Sequence, residues 1–247
     1  MEYNFRPVSD TGCVRAYHIS DAHNWAEGPI KAAETFGDID FLILNGDIPE
    51  HNGSVEKCRT IYELTSEIAK GEIPTVFARG NHDLRGLFAE RFWECTPTDQ
   101  GKTYYTFRLG SIWGMLLDCG EDKVDEHEEY LAEGVQYRMV ISHCPITYRM
   151  QKPFDIEEEI YTEWTKLLRE HVHPDVILNG HIHRLNYICP GDELDERNQP
   201  CPVVIGAAKE GHEYYAGTGF IFDKGAMEVY FTDNHGDGGK LGGTLVE

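Results

Sequence analysis

With 247 residues, 40% of them hydrophobic and 11% aromatic, the chain can fill one large domain and bury a sizeable core. A formal charge of −21 gives it a field that repels nucleic-acid backbones and anionic membranes unless bound cations reverse it locally, so capture of such polymers is disfavoured. No run approaches the roughly 18 apolar residues of a membrane span, and Met1 to Asp10 is too polar for a secretory signal, so a cytoplasmic chain with no membrane partner is expected.

Val14 to Ile19 reads as a short strand that delivers Asp21 and His23 at its carboxyl end. Residues two apart in an extended segment project from one side, so this pair can share one ion. Pro29 to Phe36 follows as a helix with proline in its first turn, closed by Gly37-Asp38. Phe41-Leu42-Ile43-Leu44 is an unbroken apolar run, the pattern of a strand covered on both faces, and it ends in Asn45-Gly46-Asp47. Ser54 then stands as N-cap to a helix in which Val55, Cys58, Ile61, Tyr62, Thr65 and Ile68 recur at helical spacing up to Gly71. The next apolar run, Ile73 to Ala78, is a third strand and leads into Arg79-Gly80-Asn81-His82-Asp83. Such alternation predicts a mostly parallel α/β sheet with ligands at the carboxyl ends of its strands.

A short helix is expected over Leu84 to Glu94, and then the pattern changes. Tyr104 to Leu109 and Ile112 to Leu117, joined by Gly110-Ser111, predict a β-hairpin. Asp118 to Gly134 is acidic and solvent-facing, and Met139-Val140-Ile141 is a strand that ends in Ser142-His143. Ile156, Ile160, Trp164, Leu167 and Leu168 mark an amphipathic helix on 155–171, after which Val176-Ile177-Leu178 delivers Gly180-His181-Ile182-His183. Segments 202–206, 218–223 and 226–231 complete the chain as strands.

Taken singly, an Asp-X-His or Gly-His-X-His match is common in turns and on surfaces. Together, five strand-end loops carry Asp21, His23, Asp47, Asn81, His143, His181 and His183, a set with no competing structural role. The amide of Asn81 is a weak oxygen ligand, useful to a metal only when carboxylates and imidazoles surround the same ion.

In this order and context the loops resemble the five motifs of the calcineurin-like metallophosphoesterases, over residues 20 to 183. The resemblance implies an α/β fold, a four-layer α/β/β/α sandwich with two mixed β-sheets face to face and helices outside, as a single domain over 1–247. It also implies a binuclear metal centre, with Asp21, His23 and His183 on the first ion, Asn81, His143 and His181 on the second, and Asp47 bridging them. Four protein ligands per ion leave coordination positions for water and substrate. Two cations roughly 3.5–4 Å apart lower the pKa of a water between them, so a bridging hydroxide attacking phosphorus is the implied nucleophile. The nitrogen and oxygen donors suit Mn, Fe, Zn, Co or Ni.

His82 adjoins Asn81 and, in the family, protonates or polarises the leaving-group oxygen. Glu50 stands where the protein-phosphatase branch has an Asp that pairs with this histidine, with a solvated glutamate as the plain alternative; Asp83 is a second candidate, with a helix N-cap as its alternative. Arg85 could hold a phosphate oxygen by a forked contact or form a surface salt bridge, and Arg79 reads as structural. His51, Asn52 and His212 read as surface residues near the rim, and Cys144 as facing the core. Seven scattered cysteines favour free thiols, with Cys189 and Cys201 as the one pairing to consider.

Purple acid phosphatases have Tyr where Glu50 stands and lack the first-motif histidine, so their charge-transfer colour is not expected. The arginine that follows the pairing Asp in Ser/Thr protein phosphatases is His51 here, which counts against that activity, and the short 119–137 segment implies an open site. The expectation is a metal-dependent hydrolase of a small phosphoester, monoester or diester. A nuclease is disfavoured by the acidic surface. A metal-stabilised protein-binding scaffold is the competing class, but scaffold relatives usually lose ligands or the catalytic histidine, and none is missing. An amidohydrolase barrel would need eight βα units, which the hairpin and β-rich tail do not supply.

Overall fold

Two mixed sheets stand face to face in the computed structural model, which describes residues 4–94, 96, 102–119, 135–145, 158–195 and 197–245. The first contains the parallel strands β1 (Val14–Ile19), β2 (Phe41–Asn45) and β3 (Thr75–Ala78). It continues on the other side of β1 through antiparallel β11 (Tyr214–Asp223), β12 (Ala226–Asp233) and β13 (Gly238–Leu245), with β10 (Ala208–Glu210) also paired to β11. The second sheet has the order β4-β5-β6-β7-β9-β8, from Tyr105–Leu109, Ile112–Leu117, Tyr137–Ser142, Val176–Asn179, Val203–Ile205 and Asn186–Ile188 respectively. Within it β5, β6, β7 and β9 are parallel, and β4 forms the expected hairpin with β5 across Gly110-Ser111.

Alternation along each strand builds the layers. Phe41 and Ile43 of β2 enter the core between the sheets, where Ile112, Leu116, Met139, Ile141, Val176 and Leu178 answer from the second sheet. Leu42 and Leu44 face the other way, into the layer of α1 (Glu27–Phe36) and α2 (Arg59–Leu64). Both faces of β2 are therefore covered, the reason its sequence shows no polar interruption. On the far side Val140, Ile177 and Val203 pack against Trp164 and Leu167 of α3 (Glu158–Leu167), which completes the four layers. Burial of each such large apolar side chain stabilises the fold by about 1.5–3 kcal/mol.

Several local expectations are corrected. The helix expected from Leu84 starts only at Ala89, as a 3-10 turn, because Asn52 takes the backbone groups that would begin it. Its side-chain amide donates to Asp83 C=O (2.5 Å), its N–H donates to Arg85 C=O (2.7 Å), and its C=O accepts from Phe88 N–H (2.8 Å). Asn52 is accordingly buried and not a surface residue. Ser54 caps no backbone N–H, and its hydroxyl engages the Glu56 carboxylate instead. Free thiols hold for Cys13, Cys58, Cys189 and Cys201, so the 189–201 pairing is absent; Cys144 is bonded to Cys119 in a disulfide that no sequence pattern announced. Strands β8, β10 and β13 were not expected, the last because its run Gly238–Leu245 is rich in glycine. Of the helix placed on 155–171, residues 155–157 lie outside the described residues, as does 120–134 of the acidic stretch. Among the described residues no helix is long and apolar enough to cross a membrane.

His18 on β1 is fully buried, its Nδ1 3.0 Å from the hydroxyl of its cross-strand neighbour Thr218. Burial drives the imidazole pKa down to about 3. The unfolded chain takes up a proton near pH 6.5 that the native state refuses, so this contribution to stability is present above pH 6.5 and lost as pH falls toward 3. Between pH 7 and 5 the protein should lose about 2 kcal/mol more than its His18→Gln variant in urea unfolding, and equal losses would refute the assignment.

Candidate metal centre

The expected ligand loops leave the carboxyl ends of β1, β2 and β3 in one sheet and of β6 and β7 in the other. Their backbones are unusual: Asp21 (φ 55°), His23 (48°), Asp47 (53°), His181 (70°) and His183 (56°) all adopt left-handed conformations. Only a few per cent of non-glycine residues do so, and a concentration of them marks a place where strain is held by the surrounding structure. Two glycines let the loops meet. A Cβ on Gly46 would come within 2.5 Å of the His143 ring, and one on Gly80 would strike the Asp47 carboxylate.

The loops bring all the expected ligands together. Ligand atoms of Asp21, His23 and His183 lie within 4.8 Å of one another, with His23 Nε2 3.1 Å from His183 Nε2 and His183 Nε2 3.3 Å from Asp21 Oδ1. Asp47, His143 and His181 form a second such group, in which Asp47 Oδ2 is 3.1 Å from His143 Nε2. Asn81 Oδ1 joins it, 2.7 Å from His181 Nδ1. Asp47 also clusters with His23 and His82, so its carboxylate touches both halves. Asp21 and Asp47 are buried while the His183 side chain is 40% exposed, which leaves the centre open on that side.

The donor set fits cations. His143 Nδ1 donates to Asn45 C=O at 2.7 Å, so in the neutral ring that a metal would bind the lone pair sits on Nε2, a buried atom with no hydrogen-bond partner. The Asn81 oxygen likewise faces only acceptors. Acceptor atoms converging with no donor between them, in a mixture of carboxylate, imidazole and amide, match the nitrogen and oxygen sites of divalent transition metals. Burial works to raise the carboxyls of Asp21 and Asp47, but His143 with His183, and His143 with His82, outweigh it and hold both below the usual range. Burial lowers the imidazoles of His23 and His181. His143 goes the other way, to about 9, because the charges of Asp47 and Asp21 outweigh its burial.

A layer of supporting bonds aims these groups. Ser20, which no sequence signal singled out, donates through Oγ to Asp21 Oδ2 (2.6 Å) and contacts Gly206 C=O (2.7 Å). Asp21 in turn accepts the N–H of His181. Asp83 corrects an expectation: it is fully buried and its carboxylate holds backbone N–H groups, as a positioning residue does. Its Oδ2 accepts from the N–H groups of Gly80 (2.7 Å) and Asp47 (2.9 Å), clamping two ligand loops together and capping no helix. Burial and the nearby charge of Asp47 raise its pKa to about 7.

Glu50 is shared, its Oε2 2.8 Å from His23 Nδ1 and its Oε1 3.4 Å from His82 Nδ1, so it supports a ligand more closely than the histidine it was expected to pair with. Arg85 is exposed beside His82 and Asn81. Arg79 makes a forked pair with Asp118, in keeping with a structural role. His51 binds the N–H of Gly53, and exposed His212 stacks on Trp25 at 5.4 Å. Cys144 is buried in its disulfide with Cys119.

A family model described as calcineurin-like phosphoesterase matches residues 14–185, which include every ligand loop. The chain belongs to the calcineurin-like phosphoesterase family. Among curated proteins this metallophosphoesterase is similar to a probable cyclic nucleotide phosphodiesterase of Rhodopseudomonas palustris, 26% identical over 204 residues that span 73% of this chain and 71% of that one. Among solved structures its fold is similar to a purple acid phosphatase from yellow lupin (Lupinus luteus) seeds, with TM-score 0.65, 14% identity and 96% of this chain covered. The chain spans only 54% of the lupin protein. GAP50, the anchor in the inner membrane complex of Plasmodium, shares the fold with TM-score 0.62, 11% identity, and 96% and 89% of the two chains covered.

Asp83→Ala would leave the Gly80 and Asp47 N–H groups buried without an acceptor, a loss of about 2–6 kcal/mol at 1–3 per group, with reduced metal content. Thermal unfolding and metal analysis of the purified variant check both, and an unchanged midpoint would refute the clamp. Mn²⁺ at about 100 times its Kd should stabilise the metal-stripped protein by about 2.7 kcal/mol for each site filled, reversed by chelation. Replacing Asp47 with Asn should largely abolish that gain.

Proposed function

We propose that this calcineurin-like phosphoesterase is a single-domain hydrolase of small phosphoesters, diesters among them, with two metal ions held by Asp21, His23, Asp47, Asn81, His143, His181 and His183. The observation that carries the reading is the position of Asp47, which lies 3.1 Å from His143 within the second donor group and also clusters with His23, a member of the first, and with His82. The cyclic nucleotide phosphodiesterase name of the R. palustris relative supports the inclusion of diesters. When bound, two divalent cations supply the positive charge that polarises a phosphoryl group and lowers the pKa of water. With only two carboxylates among the ligands, such a centre keeps net positive charge and attracts phosphate into an otherwise acidic protein.

His82 is the chain's own candidate for proton delivery. Its N–H is fixed to Asp47 Oδ1 at 2.7 Å, and Nδ1 lies 2.8 Å from Glu50 C=O. A carbonyl only accepts, so Nδ1 carries a proton, and Arg85 Nη1 at 3.2 Å is a neighbour and not a donor to it. Nε2 is then the atom on the Asp47 side, 3.8 Å from Oδ2, where a protonated ring can hand its proton to a departing ester oxygen.

The test is turnover of p-nitrophenyl phosphate, bis-p-nitrophenyl phosphate and a cyclic nucleotide with Mn²⁺ added. Metal-dependent turnover is expected, and its absence on all of them in a folded, metal-loaded sample would sink the reading. His82→Ala should lower kcat by about 10²–10⁴ while metal content holds. An unaltered rate would favour a binding scaffold.

A further inference from the structure

Beyond the ligand loops, β10 brings a cation to the centre. Lys209 on β10 pairs directly with Tyr215 on β11, and directly opposed residues of an antiparallel pair project from the same face. Tyr215 is fully buried, and its hydroxyl is bonded to Ser20, donating to the C=O (2.8 Å) and accepting from the N–H (3.2 Å). Ser20 immediately precedes Asp21, so the Lys209 stem lies alongside a side chain that reaches the first donor group. Consistent with this, Asp21 and Glu50 are the carboxylates whose charge acts on the Lys209 ammonium, and His23 feels that ammonium in return.

The strand is held firmly there. Buried Ala207 adopts φ 91°, a conformation that side-chain-bearing residues rarely accept. The adjoining Gly206 donates its N–H to Asn179 C=O (2.9 Å), and its C=O lies 2.7 Å from Ser20 Oγ. Strain persists only where the surroundings over-determine it.

Lys209 is half-buried and, among the described residues, its ammonium makes no hydrogen bond or ion pair. In a chain of net charge −21 that is unusual, since acceptors are abundant. Glu50, the nearest kind of partner by charge, is already engaged by His23 at 2.8 Å. A partly desolvated ammonium without an acceptor is unfavourable until an anion arrives. Exposed Arg85 stands beside His82 and Asn81, whereas the Lys209 charge acts on Asp21 and His23 of the first donor group.

We propose that Lys209 is a substrate-binding residue whose ammonium pairs with an anionic phosphate oxygen on the side of Asp21, His23 and His183. This rests on the phosphoesterase reading above. The experiment uses the full Mn²⁺-loaded chain and inorganic phosphate as probe, with binding measured by calorimetry. Lys209→Met should weaken phosphate binding about tenfold, equivalent to about 1.4 kcal/mol, and Lys209→Arg should restore it to within about threefold. On p-nitrophenyl phosphate the Met variant should show KM raised about tenfold with kcat within about threefold of the parent, the pattern of a lost binding contact. Metal content and unfolding midpoint serve as the check on folding, and Lys209→Gln replaces Lys209→Met if that variant fails it. Equal phosphate affinity in parent and variant overturns the assignment. If the parent binds phosphate but turns over no ester, the hydrolase reading fails and the affinity comparison still decides Lys209; if it binds no phosphate, both fail.

Discussion

Two buried carboxylates sharing one small space set the terms for this molecule. Asp21 and Asp47 repel each other, and each loses solvation by burial. His143 lies between them, its Nε2 3.1 Å from one carboxylate and 3.7 Å from the other. Burying unpaired charge is expensive, so this arrangement persists only with positive charge delivered to the same spot, by a protonated imidazole or by metal cations. The remaining features of the centre serve that requirement. Asp83 clamps the backbone of Asp47 to that of Gly80, Ser20 steadies Asp21, and Asn45 orients His143.

The sandwich makes such crowding feasible. Parallel strands of both sheets end at the same edge of a shared core, so loops from β1, β2 and β3 meet loops from β6 and β7 over rigid, close-packed ground. Left-handed turns at the ligands then carry strain in exchange for direction, since each turn points a donor inward within two to four residues of a strand end. The disulfide between Cys119 and Cys144 joins the chain just past β5 to the chain just past β6, beside His143. On its other side Asp118 is paired with Arg79, next to the Gly80 loop. The two sheets are thus cross-braced where the ligands emerge.

Charge reconciles an acidic protein with an anionic substrate. The overall field of a chain at −21 discourages long polyanions, whereas the centre, once it holds cations and is flanked by Arg85 and Lys209, presents a small positive target. A compact phosphoester experiences mainly the local charge. An extended nucleic acid experiences the whole surface. The open His183 side adds access without changing that balance.

Much of this was legible in the linear chain. The unbroken run Phe41-Leu42-Ile43-Leu44 announced a doubly covered strand, and Asp21, His23, Asp47, Asn81, His143, His181 and His183 each followed such a run, because apolar periodicity and ligand chemistry are properties of neighbouring residues. The extra strands β8, β10 and β13 were hidden, being short or glycine-rich segments whose pairing partner, and not their own composition, makes them strands. By itself, then, the sequence determined the donor types, their order and their position at strand ends. Only the tertiary structure decided that Asp83 turns inward, that Glu50 leans to His23, that Cys144 finds Cys119 and that Lys209 stands opposite Tyr215. Those outcomes depend on distances between segments far apart in the chain, and such distances are set by how sheets stack and register, which no local pattern encodes.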